Sequence, residues 1–312
     1  MIDLDRMEAQ LAAALSTPVR PSPAAARTAP VPAPTPAPAP APASRRRPRV
    51  VAQAAPAPEP RRRSRPRAET LPASAPELLE LGLLEDADAV VVGGGAHPRD
   101  ELSWTTMRAL LEGRHDAARR GIEELSRLAQ RTEDAEAWDP YWVQRFWFAF
   151  EWGTEEERYD VLDHCRERAY RFDDLPWWGN LTLLLAATGK HEEARRAFDA
   201  TQELVLRAAT DACLLDVVTN LVEAAALMGD AGRVAAAARI LRWPEGRLVV
   251  VGAAVVCKGS VDRYVALAHL ALGDSTRAGE CFRRAEATNR AIGAGPMLAR
   301  TLQQASSGLV AA

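Results

Sequence analysis

The feature that most constrains this chain is a glycine that returns at nearly even intervals through its second half. Gly113, Gly153, Gly189, Gly229 and Gly273 are separated by 40, 36, 40 and 44 residues. Around them other offsets recur. Five residues on stand Ala118, Ala194, Val234 and Ala278; nine on stand Ile122, Leu162, Phe198, Ala238 and Phe282; twelve on stand Leu125, Cys165, Leu241 and Ala285. A helical hairpin needs a residue tolerant of left-handed backbone just past its first helix, which is Gly. A small residue five later lets the second helix come close, and a large apolar one four beyond fills the same face one turn on. The spacing predicts an all-α array of about five helical hairpins from Glu101 to Asn289, closed by a short helix from Pro296 to about Ala305.

Gly, Ala and a large apolar residue at offsets 0, 5 and 9 resemble the tetratricopeptide repeat. That family also places Trp and Leu eleven and eight residues before the Gly. Trp178 and Leu181 match before Gly189, Trp142 matches before Gly153 with Arg145 in the Leu place, and Leu221 matches before Gly229 with Val218 for the Trp. Arg158 departs from the small position, and the unit at Gly113 matches only in its second helix. The resemblance implies a solenoid that binds other proteins. A narrower resemblance covers roughly residues 240–305. It is carried by Gly246–Val250, Cys257-Lys258-Gly259-Ser260-Val261-Asp262-Arg263-Tyr264, Gly273, Asn289–Ala294 and Leu298–Thr301. This region is similar to the C-terminal repeats of LuxR/MalT-type bacterial ATP-dependent regulators, where it is a sensor and interaction platform. The phosphate loop of that family is missing here.

The array occupies only part of the chain. Sixteen of the 22 prolines lie between Pro18 and Pro72, and every Trp, Tyr, Phe and Cys lies beyond them. A stretch so poor in large apolar side chains cannot offset the entropy of ordering. Residues 17–75 therefore read as a disordered Pro/Ala/Arg-rich linker, 1–16 as a short amphipathic helix carrying Leu4, Met7, Leu11 and Leu15, and 76–312 as the repeat domain. Residues 1–70 hold 12 Arg against 5 acids, a balance of +7, which leaves −10 on the rest. The runs Arg45–Arg49 and Arg61–Arg67 are candidate contacts for nucleic acid, although no aromatic is interleaved for base stacking. The opening Met1–Asp5 has neither the basic nor the apolar region of a signal peptide. The longest apolar run, Leu248–Cys257, is too short to span a bilayer. A cytoplasmic location is expected.

Chemistry is sparse. No CxxC or HxxxH offers a metal pair, and Gly93-Gly94-Gly95 is followed by Ala96-His97-Pro98 rather than the Lys-Ser/Thr of a phosphate loop. That run, after Ala89-Val90-Val91-Val92, reads as a connection in which Pro98 precludes a helix start. A short helix is expected from Pro76 to Glu85. No enzyme activity and no cofactor are expected. The richest local feature is Tyr141–Trp152. Trp142, Phe146 and Ala149 share one helical face, and Tyr141, Phe148 and Trp152 another, while Trp147 points elsewhere; one packing face cannot absorb them all. Two readings stand. The helix is buried between neighbours, or Tyr141, Trp147, Phe148 and Trp152 line a groove that binds a partner. The leading functional expectation is a protein–protein interaction or regulatory adaptor in a bacterial signalling or transcription pathway. The rivals are a sensor taking a small ligand or peptide in the aromatic groove, and a nucleic-acid-associated protein using its Arg tail.

Overall fold

The computed structural model describes residues 74–93, 96–132, 135–208, 214–240 and 243–310. The expected helix at 1–16, almost all of the linker, and Leu241 and Cys213 lie outside them. The described residues are all-α apart from one β-hairpin. The helices are α1 Ala75–Glu80, α2 Leu84–Gly93, α3 Pro98–Glu112, α4 His115–Thr132, α5 Trp138–Trp152, α6 Glu155–Phe172, α7 Leu175–Ala187, α8 His191–Arg207, α9 Leu214–Leu227 and α10 Ala231–Ala238. The strands β1 Leu248–Val251 and β2 Val256–Ser260 follow, then α11 Val261–Ala271, α12 Ser275–Ala291 and α13 Gly295–Val310.

The turn glycines separate α3/α4, α5/α6, α7/α8, α9/α10 and α11/α12. Gly113, Gly189, Gly229 and Gly273 are left-handed, at φ 76°, 74°, 67° and 77°. At each, the following amide reaches back a full turn: Arg114 N to Ala109 O, Lys190 N to Leu185 O, Asp230 N to Ala225 O and Asp274 N to His269 O, all at 2.8–2.9 Å. This is the Schellman closure that a left-handed C-cap permits. At Gly229 and Gly273 the next residue is an Asp whose side chain caps the second helix, taking Arg233 N and Arg277 N at 3.0 Å. The small residues Ala118, Ala194 and Ala278 have no exposed surface.

Gly153 departs from the expected left-handed turn. It is extended, at φ −64° and ψ 150°. A Cβ there would come within 2.6 Å of the Ala149 carbonyl and Cα, so close approach, not backbone handedness, requires Gly. α6 instead starts on a capping box in which Thr154 and Glu157 exchange hydrogen bonds. The same geometry accounts for Arg158 in place of a small residue, since its Nε donates to Ala149 O at 3.1 Å.

Three expectations are corrected. The helix expected over 76–85 breaks at left-handed Gly82 into α1 and α2. The run Ala89–Gly93 is helical, held by buried Ala87 and by Asp88, which accepts Trp104 Nε1 at 2.7 Å. Pro98, read as a barrier, is the first residue of α3. Its missing N–H costs nothing at that position, and His97 Nδ1 accepts Arg99 N at 3.3 Å.

The β-hairpin lies between the fourth and fifth helical hairpins. Its β-branched Val249, Val250, Val251 and Val256 favour strand, and the left-handed pair Gly252 and Ala254 turns it. Leu248 pairs with Ser260, Val250 with Cys257 and Val251 with Val256, with a bulge between the first two. A second core forms around it. Leu78, Leu79, Trp104, Met107 and Leu111 from α1 and α3 pack with Leu248, Cys257, Ile292 and Met297. The first and last helices of the described residues thus share a core, whereas in an open stack each repeat touches only its neighbours.

Candidate functional site

α5 runs through the middle of this packing. Tyr141, Trp147 and Phe148 are buried, with Trp147 3% exposed. Trp152 is half-buried and meets Phe148 and His115 edge-on or tilted. The four residues singled out from the sequence therefore do not line one open face: three belong to the core, and Trp152 borders a cavity. Trp142, eleven residues before Gly153, is only half-buried and stacks on His164 at 3.8 Å. Burial pushes the His164 imidazole down to about 4. α5 buries more than one face because the β-hairpin covers what the neighbouring helices leave open: Gln144 Nε2 bridges Ser103 O at 2.8 Å and, in the hairpin turn, Val255 O at 2.9 Å.

Behind Trp147 the interior turns polar. Lys258, on β2, is fully buried. Its ammonium donates to Asp216 Oδ1 at 2.9 Å, Thr219 Oγ1 at 2.5 Å and Asn220 Oδ1 at 2.7 Å. It lies 5.1 Å from the Trp147 ring and 5.4 Å from that of Tyr264. Asn220 in turn donates to Asn180 at 3.0 Å. Burial lowers the Lys258 pKa and the Asp216 carboxylate opposes that shift. One turn along α9, Glu223 is 1% exposed and takes a bidentate pair from Arg263, at 3.0 and 2.8 Å. Arg300, from α13, bridges Glu223 at 2.6 Å and Glu151 at 2.9 Å and lies over the Phe150 ring at 4.6 Å. Burial alone would raise the Glu223 carboxyl, but Arg263 and Arg300 hold it well below the usual range. Burial dominates at Glu151 and raises it.

The segment Cys257–Tyr264 has a packing task at nearly every residue. Gly259 is left-handed at φ 75°, and a Cβ there would meet Asn289 Oδ1 at 2.5 Å. Ser260 caps α11 by accepting Asp262 N and donates its own amide to Asn289 Oδ1 at 2.9 Å. Asp262 takes Arg284 and the amide of Gly246. Asn289 also donates to Thr301 on α13 at 3.1 Å.

Two cavities flank α13. One, of about 510 Å³, is bordered by Glu112, Glu151, Trp152, Pro296, Arg300 and Gln303. The other, of about 320 Å³, is bordered by Phe150, Glu223, Leu227, Arg300 and Gln303 among others. A third, of about 430 Å³ and mostly apolar, lies by Trp104, Pro140 and Val255. Among the described residues no cluster of His, Cys, Asp or Glu is arranged to hold a metal, and no helix is long and apolar enough to cross a membrane.

The chain matches no protein-family profile, no curated protein and no solved structure with which it was compared.

The charged residues of this interior escaped the sequence reading, although a signal for them exists. Lys258 directly follows the longest apolar run, Leu248–Cys257, Arg263 lies between Val261 and the apolar Tyr264–Ala268, and Asp216 and Glu223 sit inside the apolar helix Leu214–Leu227. A charge surrounded by apolar residues on every helical face must be buried, and a buried charge needs an opposite one. Two cations and two acids with that signature make a pairing problem that the sequence alone states and the fold solves.

Proposed function

We propose that the chain is a non-catalytic, protein-binding array of tetratricopeptide-like hairpins, serving as a regulatory adaptor in a bacterial signalling or transcription pathway. One observation carries the reading. The first helices of four successive hairpins, α3, α5, α7 and α9, end at Glu112, Trp152, Ala187 and Leu227, and all four ends border the cavities along α13. A row of equivalent helix ends is a surface that repeats supply and a single hairpin cannot. The left-handed turn glycines and the buried small residues five positions on support the repeat assignment. The role of every buried charge in joining one element to another supports a scaffold rather than a catalyst. Burial of Tyr141, Trp147 and Phe148 counts against a ligand groove built on them.

The test is co-purification of the full chain with chemical cross-linking, at low and high salt. A protein retained at fixed stoichiometry and cross-linked to residues of the repeat domain is the expected result. Recovery of nucleic acid alone, lost steeply as salt rises, would replace this reading with one based on Arg45–Arg49 and Arg61–Arg67.

A further inference from the structure

Arg158 stands where the other hairpins carry a small residue: Ala118, Ala194, Val234 and Ala278 hold the equivalent place. Packing therefore does not ask for a charge there. Its Nε is fixed on the Ala149 carbonyl at 3.1 Å, and the half-buried side chain borders the cavity of about 320 Å³ beside α13. Among the described residues no carboxylate pairs with Arg158, and its two terminal nitrogens donate to nothing. Gln304, on the α13 wall of the same cavity, is held in a similar way. Its Oε1 accepts from Arg263 at 3.2 Å, which leaves its amide NH2 to donate, and among the described residues nothing takes it. The lining also includes Phe150 and Leu227, the latter 44% exposed.

The charges around this cavity do not balance. Arg263 and Arg300 are matched by Glu223 and Glu151. Arg158 is a third guanidinium against two carboxylates, so one positive charge is left over. α7 and α9 also end here, at Ala187 and Leu227. Several of their last carbonyls already accept the amides of Thr188, Lys190, Met228 and Asp230, which limits the negative potential that those helix ends bring.

We propose that this cavity binds a small organic monoanion, a carboxylate with a short apolar body. The site goes beyond the adaptor reading and does not depend on it. A guanidinium fork takes a carboxylate through two parallel hydrogen bonds, and Arg158 has the two terminal nitrogens for them. The Gln304 amide adds a third donor, and the apolar body lies against Phe150 and Leu227. An excess of one charge suits a singly charged head, whereas a dianion such as a phosphate monoester would keep an unmatched charge out of water. The volume is at the low end of the roughly 300–1,000 Å³ found for ligand cavities, which favours a small molecule.

The experiment titrates the full chain with hexanoate by calorimetry, beside 1-hexanol, hexylamine and inorganic phosphate. Hexanoate is expected to bind saturably, and each of the other three at least roughly tenfold more weakly, because each lacks either the single negative charge or the apolar body. Arg158→Ala puts into this hairpin the small residue that the others carry, so it is expected to fold, and it should weaken hexanoate by roughly tenfold or more. Arg158→Lys keeps the charge without the fork and should fall between. Leu227→Glu, at an exposed position of the wall, should abolish binding by repulsion and serves in place of Arg158→Ala if that chain does not fold. Arg196→Ala removes an exposed charge of α8 that does not border the cavity, and it should change nothing. No saturable binding of hexanoate, equal binding of the alcohol or of phosphate, or hexanoate binding that survives both Arg158→Ala and Leu227→Glu would each overturn the proposal. So would an equal loss in Arg196→Ala, which would trace binding to net charge and not to this site.

Discussion

The residue that best shows how this interior works is Lys258. Three side-chain acceptors and two aromatic faces surround its ammonium with no water access. Such a pair adds little over a well-packed apolar one, but breaking it from one side leaves a bare charge. Lys258→Met should therefore cost on the order of 3–5 kcal/mol in a denaturant melt, because Asp216 stays buried and charged. Adding Asp216→Asn should recover at least half of that loss. If the double variant is as unstable as the single, the cage holds by shape and not by charge. His164 gives a pH test with a defined sign. Stacked on Trp142 and pushed by burial to about 4, it binds no proton in the folded chain at a pH where the unfolded chain does. The stability this neutrality carries is present above about 6.5, the ordinary value for histidine, and is lost as pH falls toward 4. His164→Gln should flatten the fall of the denaturation midpoint between those values, and an unchanged slope would assign it to other groups.

At the scale of elements, the turns make the distinguishing case. A Cβ at Gly189 would meet nothing within 4 Å, so only its φ of 74° resists substitution. Gly189→Ala should cost roughly 1–2 kcal/mol, and Gly189→Asn markedly less, since Asn tolerates left-handed backbone. Gly153 is the opposite case, with ordinary φ and a Cβ position 2.6 Å from the Ala149 backbone. There Ala and Asn should be equally damaging, as thermal melts of the four variants would show; rescue by Asn at Gly153 would mean the turn is left-handed after all. These turns explain what was legible in the sequence. A hairpin is a local object, so its turn glycine and the small and large apolar residues after it are written within a few positions of one another. The site was written at long range. Asp216 and Lys258 are 42 positions apart, and Glu151 and Arg300 are 149 apart, so each reads alone as an unexplained charge. The β-hairpin and α2 were missed for a related reason. Short valine runs suit strand, helix or buried loop alike, and tertiary packing decides among them.

For the whole molecule, the consequence of the second core is cooperativity. A stack whose repeats touch only their neighbours frays from its ends, and its unfolding departs from two-state behaviour as it lengthens. Here Leu78 and Leu79 of α1, 3% and 0% exposed, close over Trp104, Met107, Leu248 and Ile292, so an end of the described chain is also part of its interior. Ion pairs do the same from the other side, since Arg300 ties α13 to α5 and α9 at once. Two truncations separate this from an open array. A fragment starting at Ser74 keeps every contact described here and, given the composition of what it loses, should unfold at nearly the full-length midpoint. A fragment starting at Ala96 removes α1 and α2, and with them two fully packed leucines and the partner of Trp104. It should lose on the order of 5 kcal/mol, since each buried leucine is worth roughly 2–5. The loss should extend to the C-terminal elements, so that α12 amides lose hydrogen-exchange protection along with those of α3. Were the fragment to lose protection only in α3 and α4, with α11 and α12 unchanged, the two ends would not be coupled and the array would behave as an open stack.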